Sequence, residues 1–169
     1  DFPEIGALTV EAAKHAIAKP VRDEGVEVTE EALDGIYRET RGYPYFVQEW
    51  GKHAWEVATD SPITLYDVER ASILAVAALD ESFFRVRFDR LTPAERRYLR
   101  AMAAIGPGPH RSGDIADNLA RPVSSLGPVR GKLISKGMIW SPHHGDTAFT
   151  VPRFDEFMRR IMPGEDWRE

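Results

Sequence analysis

Met138-Ile139-Trp140-Ser141-Pro142-His143-His144-Gly145-Asp146-Thr147-Ala148-Phe149-Thr150-Val151 decides the reading of the second half of this chain. Two short β-type runs, Met138-Ile139-Trp140 and Ala148-Phe149-Thr150-Val151, flank a segment of turn formers. In otherwise helical sequence this predicts a two-stranded wing. Upstream, Ser124 or Ser125 starts a helix through Val129, Leu133 and Ile134, ended by Gly137. Pro128 fits there only in the first turn, because a deeper proline would lose a backbone hydrogen bond. A short turn, Ala120-Arg121-Pro122, separates it from a helix through Ile115, Ala116 and Leu119, which Ser112 is placed to cap. Earlier still, Thr92-Pro93-Ala94-Glu95 is a capping box with proline at the first helical position. Tyr98, Leu99, Met102 and Ala103 give that helix its apolar face, and Gly106-Pro107-Gly108-Pro109 ends it. Downstream, Phe154, Phe157, Met158 and Ile161 form a last amphipathic helix. The order helix, helix, turn, helix, wing, helix is that of a winged-helix domain over residues 83–162, with 163–169 as a tail.

The first half, residues 1–80, reads as helices throughout. Thr9 caps a helix carrying Val10, Ala13 and Ile17, which Pro20 is expected to stop or kink. Thr29 caps a second, whose Leu33, Ile36 and Tyr37 make one buried stripe. Gly42 lies where a helix C-cap belongs, and Pro44 opens a third helix with Phe46, Val47, Trp50, Ala54 and Val57 on one broad face. Gly51 interrupts that helix, at a cost of about 1 kcal/mol of propensity. Thr64 caps a fourth that reaches Leu79 or beyond, and Phe83, Phe84, Val86 and Phe88 form an aromatic joint between the halves. The fold class is therefore mainly α: a helical bundle followed by a winged helix.

The charge is uneven along the 169 residues. Net charge is −5, but residues 1–89 hold 9 Lys+Arg against 18 Asp+Glu, a balance of −9, and residues 90–162 hold 12 against 6, a balance of +6. A basic module beside an acidic one leaves two readings open, contact of the basic part with nucleic acid or two solvated surfaces of different composition. There is no cysteine, so disulfide frameworks, thiol nucleophiles and thiolate zinc sites are excluded. Apolar runs such as Ala75–Leu79 are far too short for a membrane span. Asp1-Phe2-Pro3-Glu4 has no signal-peptide character, and the lack of an initiator Met points to a fragment or a processed chain. A cytoplasmic location is expected.

Catalytic constellations are absent. The two Gly-Lys pairs, Gly51-Lys52 and Gly131-Lys132, have Phe46 and Leu126 where a phosphate-binding loop needs its first glycine, and neither is followed by Ser or Thr. His143-His144 at the wing tip would point to opposite faces of a strand and have no supporting ligands. No serine sits in a Gly-x-Ser-x-Gly elbow, and adjacent carboxylates such as Asp80-Glu81 do not converge on a helix. The chain is read as non-enzymatic on its own, with no metal and no bound cofactor. The residues with binding character are basic or hydroxylic and surround the expected reading helix: Arg111, Arg121, Ser124, Ser125, Arg130 and Lys132, with His143 and His144 on the wing. Gly127 and Pro128 leave that helix few side chains that read bases.

Thr40-Arg41-Gly42-Tyr43-Pro44-Tyr45-Phe46-Val47-Gln48 resembles the Gly-x-Pro element of the signal-transduction ATPases with numerous domains, the STAND branch of the AAA+ P-loop ATPases. Lys19-Pro20 and Val26–Leu33 are similar to the same helical lid, and Phe149–Phe154 with Arg159-Arg160 to the end of the winged helix that follows it. Arg41 departs from the pattern, since many relatives carry a second glycine there. The resemblance implies that Gly42 and Pro44 are nucleotide-proximal, lining the adenine side of ATP or ADP held by a P-loop core upstream in a parent chain. It also implies a winged helix that meets DNA or a protein partner in regulation, with no role for a membrane. The alternative is a free-standing winged-helix transcriptional regulator with a helical effector or dimerisation domain.

Overall fold

The computed structural model describes residues 6–169, so the reading of Asp1–Glu4 lies outside the described residues. The chain divides into two compact units, one ending at Leu79 and one spanning Asp80–Glu169. It is mainly helical, a bundle followed by a winged helix with one small sheet.

The first unit contains α1 (Val10–Asp23), α2 (Glu30–Thr40), α3 (Pro44–Val57) and α4 (Leu65–Leu79). Thr9 and Thr29 cap α1 and α2, each accepting from the amide three residues on at 3.1 Å. Trp50, Phe46, Ile36 and Leu79 are almost fully buried and centre the core. Burying the Trp50 indole requires a partner for its N–H, and Nε1 donates to Ser72 Oγ on α4 at 2.8 Å. Gly35 lets α2 approach α4: a Cβ there would sit 2.7 Å from Leu65 Cδ1. Two connections pair as well. Ile63 N donates to Glu27 O at 2.8 Å and Thr29 N to Ile63 O at 3.0 Å.

Four expectations need correction in this unit. Pro20 does not stop α1, which continues to Asp23. It lies on the exposed side near the C-terminal end, so the carbonyl it leaves unbonded, that of exposed Ala16, is solvated. Gly51 does not interrupt α3, because tertiary burial of Val47, Trp50 and Ala54 outweighs one unfavourable propensity. The α2 C-cap is Arg41 itself, in the left-handed region at φ 51°, with Gly42 following at φ +74°. At α4 the capping runs in reverse: Asp67 Oδ2 accepts from Thr64 N at 2.9 Å and from its hydroxyl at 3.1 Å.

The second unit opens with a π-helical turn, Asp80–Phe84, and α5 (Arg85–Asp89). Then come α6 (Pro93–Ile105), β1 (His110–Arg111), α7 (Ser112–Asn118), α8 (Gly127–Ser135), β2 (Ile139–Trp140), β3 (Asp146–Phe149) and α9 (Phe154–Ile161). The capping box forms as read: Glu95 N donates to Thr92 Oγ1 at 3.3 Å and Thr92 N to Glu95 Oε2 at 3.1 Å. Phe84 and Phe88 pack within this unit on Phe157, at ring-centroid distances of 5.3 and 5.9 Å, while Val86 is exposed.

The sheet order is β1-β3-β2, antiparallel throughout, with His110 opposite Thr147 and Ile139 opposite Phe149. β1 carries no sequence signal of its own, and β3 begins two residues earlier than the sequence run suggests, because Asp146 and Thr147 pair with β1. Ser112 does not cap α7. Its amide and hydroxyl both donate to Gly145 O, at 2.9 and 3.1 Å, tying the helix start to the wing. Neither Ser124 nor Ser125 starts α8. They lie in a 3-10 turn, Val123–Ser125, and α8 begins at Gly127 with Pro128 in its first turn.

Residues 163–169 are held against α6. The buried Arg100 donates from Nε to Met162 O at 2.7 Å and stacks over Trp167 at 4.9 Å, and Trp167 Nε1 donates to Gly164 O at 3.0 Å. Burial, then the nearby Arg159 and Arg168, lower the pKa of Arg100.

Candidate functional site

Two places carry the residues singled out from sequence. The first is the turn into α3. Gly42 is buried, its amide donates to Thr40 Oγ1 at 3.3 Å, and its carbonyl accepts from Leu8 N at 2.8 Å. A Cβ at Gly42 would meet Leu8 O at 2.5 Å, so the glycine is required twice, by its positive φ and by the strand of chain that crosses it. Pro44 occupies the first turn of α3 with its ring half-buried. Its missing N–H costs nothing there.

The second is the seam between α8 and the wing. Arg130, half-buried in α8, donates from Nε to Thr147 Oγ1 at 2.9 Å and from Nη2 to Asp146 O at 3.1 Å. Thr147 is fully buried and sits beside the phenol of Tyr98, itself only 1% exposed. Burial pushes the Tyr98 hydroxyl above its ordinary value, and Thr147 and Arg130 offset part of that rise. Arg130 therefore orients the wing on α8 as well as presenting charge. Lys136 at the end of α8 is committed elsewhere, with Nζ 2.7 Å from Glu95 Oε2 and 2.9 Å from Arg90 O.

The other candidates are dispersed. Arg111 is exposed on β1 opposite Asp146, and Lys132 is exposed on α8. Arg121 and Ser124 are exposed in the α7–α8 connection, where Ser125 Oγ donates back to Pro122 O at 2.7 Å. His143 and His144 are exposed in the wing loop, which Ser141 Oγ closes by donating to Asp146 O at 2.9 Å. Sequence reasoning reads Tyr98 only as part of an apolar face and misses Thr147 and the Gly145 carbonyl. β3 buries the neighbours Thr147 and Ala148, so it shows no alternation that would have marked the threonine. Among the described residues no group of His, Asp and Glu could hold a metal ion, and no helix is long and apolar enough to cross a membrane.

By its helix order and wing, the second unit is a winged-helix domain. Residues 81–158 match the model of a domain of unknown function (DUF8462). Among solved structures, the chain is similar to RuvB of Thermotoga maritima. One mutant form aligns at 17% identity over 89% of this chain and 49% of that one, with a TM-score of 0.43. The structure described as the Holliday junction branch migration motor aligns at 18% identity over 90% and 49%, with a TM-score of 0.41. The chain thus spans about half the length of these solved structures. No curated protein matches it.

Proposed function

We propose that this chain supplies the helical lid and the winged helix of a STAND-type AAA+ ATPase. In this reading a P-loop core elsewhere in the parent protein holds the phosphates of ATP or ADP, and the Gly42-Tyr43-Pro44 turn lies on the adenine side. Gly42 shapes the turn, and Pro44 offers its flat apolar ring there. The observation that carries the reading is this turn: a buried positive-φ glycine followed by a half-buried proline that opens α3. The collinear order of lid and winged helix supports it. The winged helix would then meet duplex DNA through backbone contacts, with Arg111, Arg121, Lys132 and His143 exposed for that purpose. Base readout would be weak, since α8 starts with Gly127-Pro128-Val129 and Arg130 is tied to the wing. A cytoplasmic setting and a regulatory role follow from the same reading.

The test is made on the parent protein. Its sequence should contain Gly-x4-Gly-Lys-Ser/Thr upstream of this segment, and ATP turnover should need it. Turnover of ATP by the 169-residue chain alone, or the absence of that motif from the parent reading frame, would overturn the proposal.

A further inference from the structure

The seam between α8 and the wing carries a half-open cavity of about 370 Å³, near the lower end of ligand-sized pockets, which run from about 300 Å³. Arg130 lines it, with Ser141 and His144 from the wing loop, and none of the residues around it is Asp or Glu. The Arg130 guanidinium has no carboxylate among its hydrogen-bond partners. Here the partners are a neutral hydroxyl and a neutral carbonyl, and among the described residues Arg130 makes no ion pair. The two bonds fix the plane of the guanidinium without neutralising it, so its charge is preorganised toward the cavity.

The start of α8 adds to this field. Gly127 lines the cavity at the first position of the helix, which has no side-chain cap, so the positive end of the helix dipole faces the same space. Val123 and Leu126 form an apolar wall. A bare inorganic ion would leave that wall facing water, whereas an anion carried on a compact apolar body would cover it.

We propose that this cavity binds a small organic anion, a phosphate or carboxylate head on a compact apolar body, with the head on Arg130 and the N-terminus of α8 and the body on Val123 and Leu126. The site stands on this geometry and is independent of the ATPase reading above.

The experiment is an amide-shift titration of the full 169-residue chain, using phenyl phosphate and benzoate as probes. Saturable shifts are expected at Ser112, Gly127, Arg130 and Gly145, with weaker binding of inorganic phosphate and none of benzyl alcohol. Arg130→Gln should weaken phenyl phosphate about tenfold or more, the loss of one charge-assisted hydrogen bond. Because Arg130 also holds the wing, Val123→Glu is the second variant. Val123 is 51% exposed, so the change places an acid on the wall without disturbing the core, and it should weaken both probes. Non-saturating shifts, binding unaltered in Val123→Glu, or equal binding of benzyl alcohol would overturn the proposal. A short DNA duplex is the last arm: if it alone perturbs these amides, the cavity seats a backbone phosphate and the small-anion proposal falls.

Discussion

Leu8 donates its amide to the carbonyl of Gly42 at 2.8 Å, and its own carbonyl occupies the space where a Gly42 side chain would begin. The segment before α1 is thereby closed over the turn that opens α3. Gly42→Ala meets both a backbone clash and a left-handed φ, so we expect it to destabilise the chain by about 1–3 kcal/mol. Thermal unfolding measures this. A change within a few tenths of a kcal/mol would show that Leu8 moves aside at no cost.

Pro44→Ala separates packing from ligand contact. Alanine is tolerated at the first turn of a helix, so the isolated chain should keep its melting temperature within the equivalent of about 0.5 kcal/mol. In the parent protein the same substitution should weaken nucleotide binding, read by calorimetry. Unchanged affinity would leave Pro44 as a helix start and nothing more.

Glu95 links acid stability to the start of α6. Burial by itself raises its pKa, but the Lys136 ammonium and the Thr92 amide outweigh it and hold the carboxyl below its ordinary value of 4.5. The folded state therefore binds this proton less readily than the unfolded chain. The resulting stability is present above 4.5 and is lost as pH falls through the folded value. Lys136→Met should cost about 1–2 kcal/mol at neutral pH, Lys136 being partly exposed. It should also flatten the loss of stability on acidification. Denaturant midpoints at pH 7 and pH 3 test both statements.

Trp167 and Arg100 make the C-terminal segment part of the winged-helix core. Trp167 is 8% exposed, and Trp167→Ala should cost about 2–4 kcal/mol. Arg100→Ala should release Met162 and Gly164, read as faster hydrogen exchange confined to the last turns. Exchange equal to wild type there would assign the anchoring to Trp167 alone.

Duplex binding by the winged helix should be steeply salt-dependent. Each phosphate contact removed lowers the salt slope by about one unit. Lys132 is exposed, and its charge adds only the smallest of the effects that lower the Glu95 pKa, so Lys132→Ala should reduce the slope and change stability little. Arg130→Ala should alter both, since it also frees Thr147 and Asp146 of the wing. A Lys132→Ala slope identical to wild type would remove that residue from the interface.

The helices and much of their order follow from local signals in the sequence. Apolar spacing at i, i+3 and i+4, threonine caps at Thr9, Thr29 and Thr92, and Pro44 and Pro93 at helix starts are local signals, settled within about one turn of chain. The wing was legible for the same reason: turn formers between two β-type runs need no distant partner to be read. Tertiary structure alone decided the rest. β1 is two residues long and exists only because Thr147 and Asp146 lie opposite it. Ser112 looks like a cap and instead bonds Gly145 across 33 positions of chain. Arg130 looks like a free cation for nucleic acid and is pinned to Thr147, 17 positions on. Gly42 looks like a helix stop and is also the seat of Leu8. In each case the side chain or backbone group is satisfied by a partner remote in sequence, and the cost of burying an unbonded polar group fixes that choice only once the chain has folded.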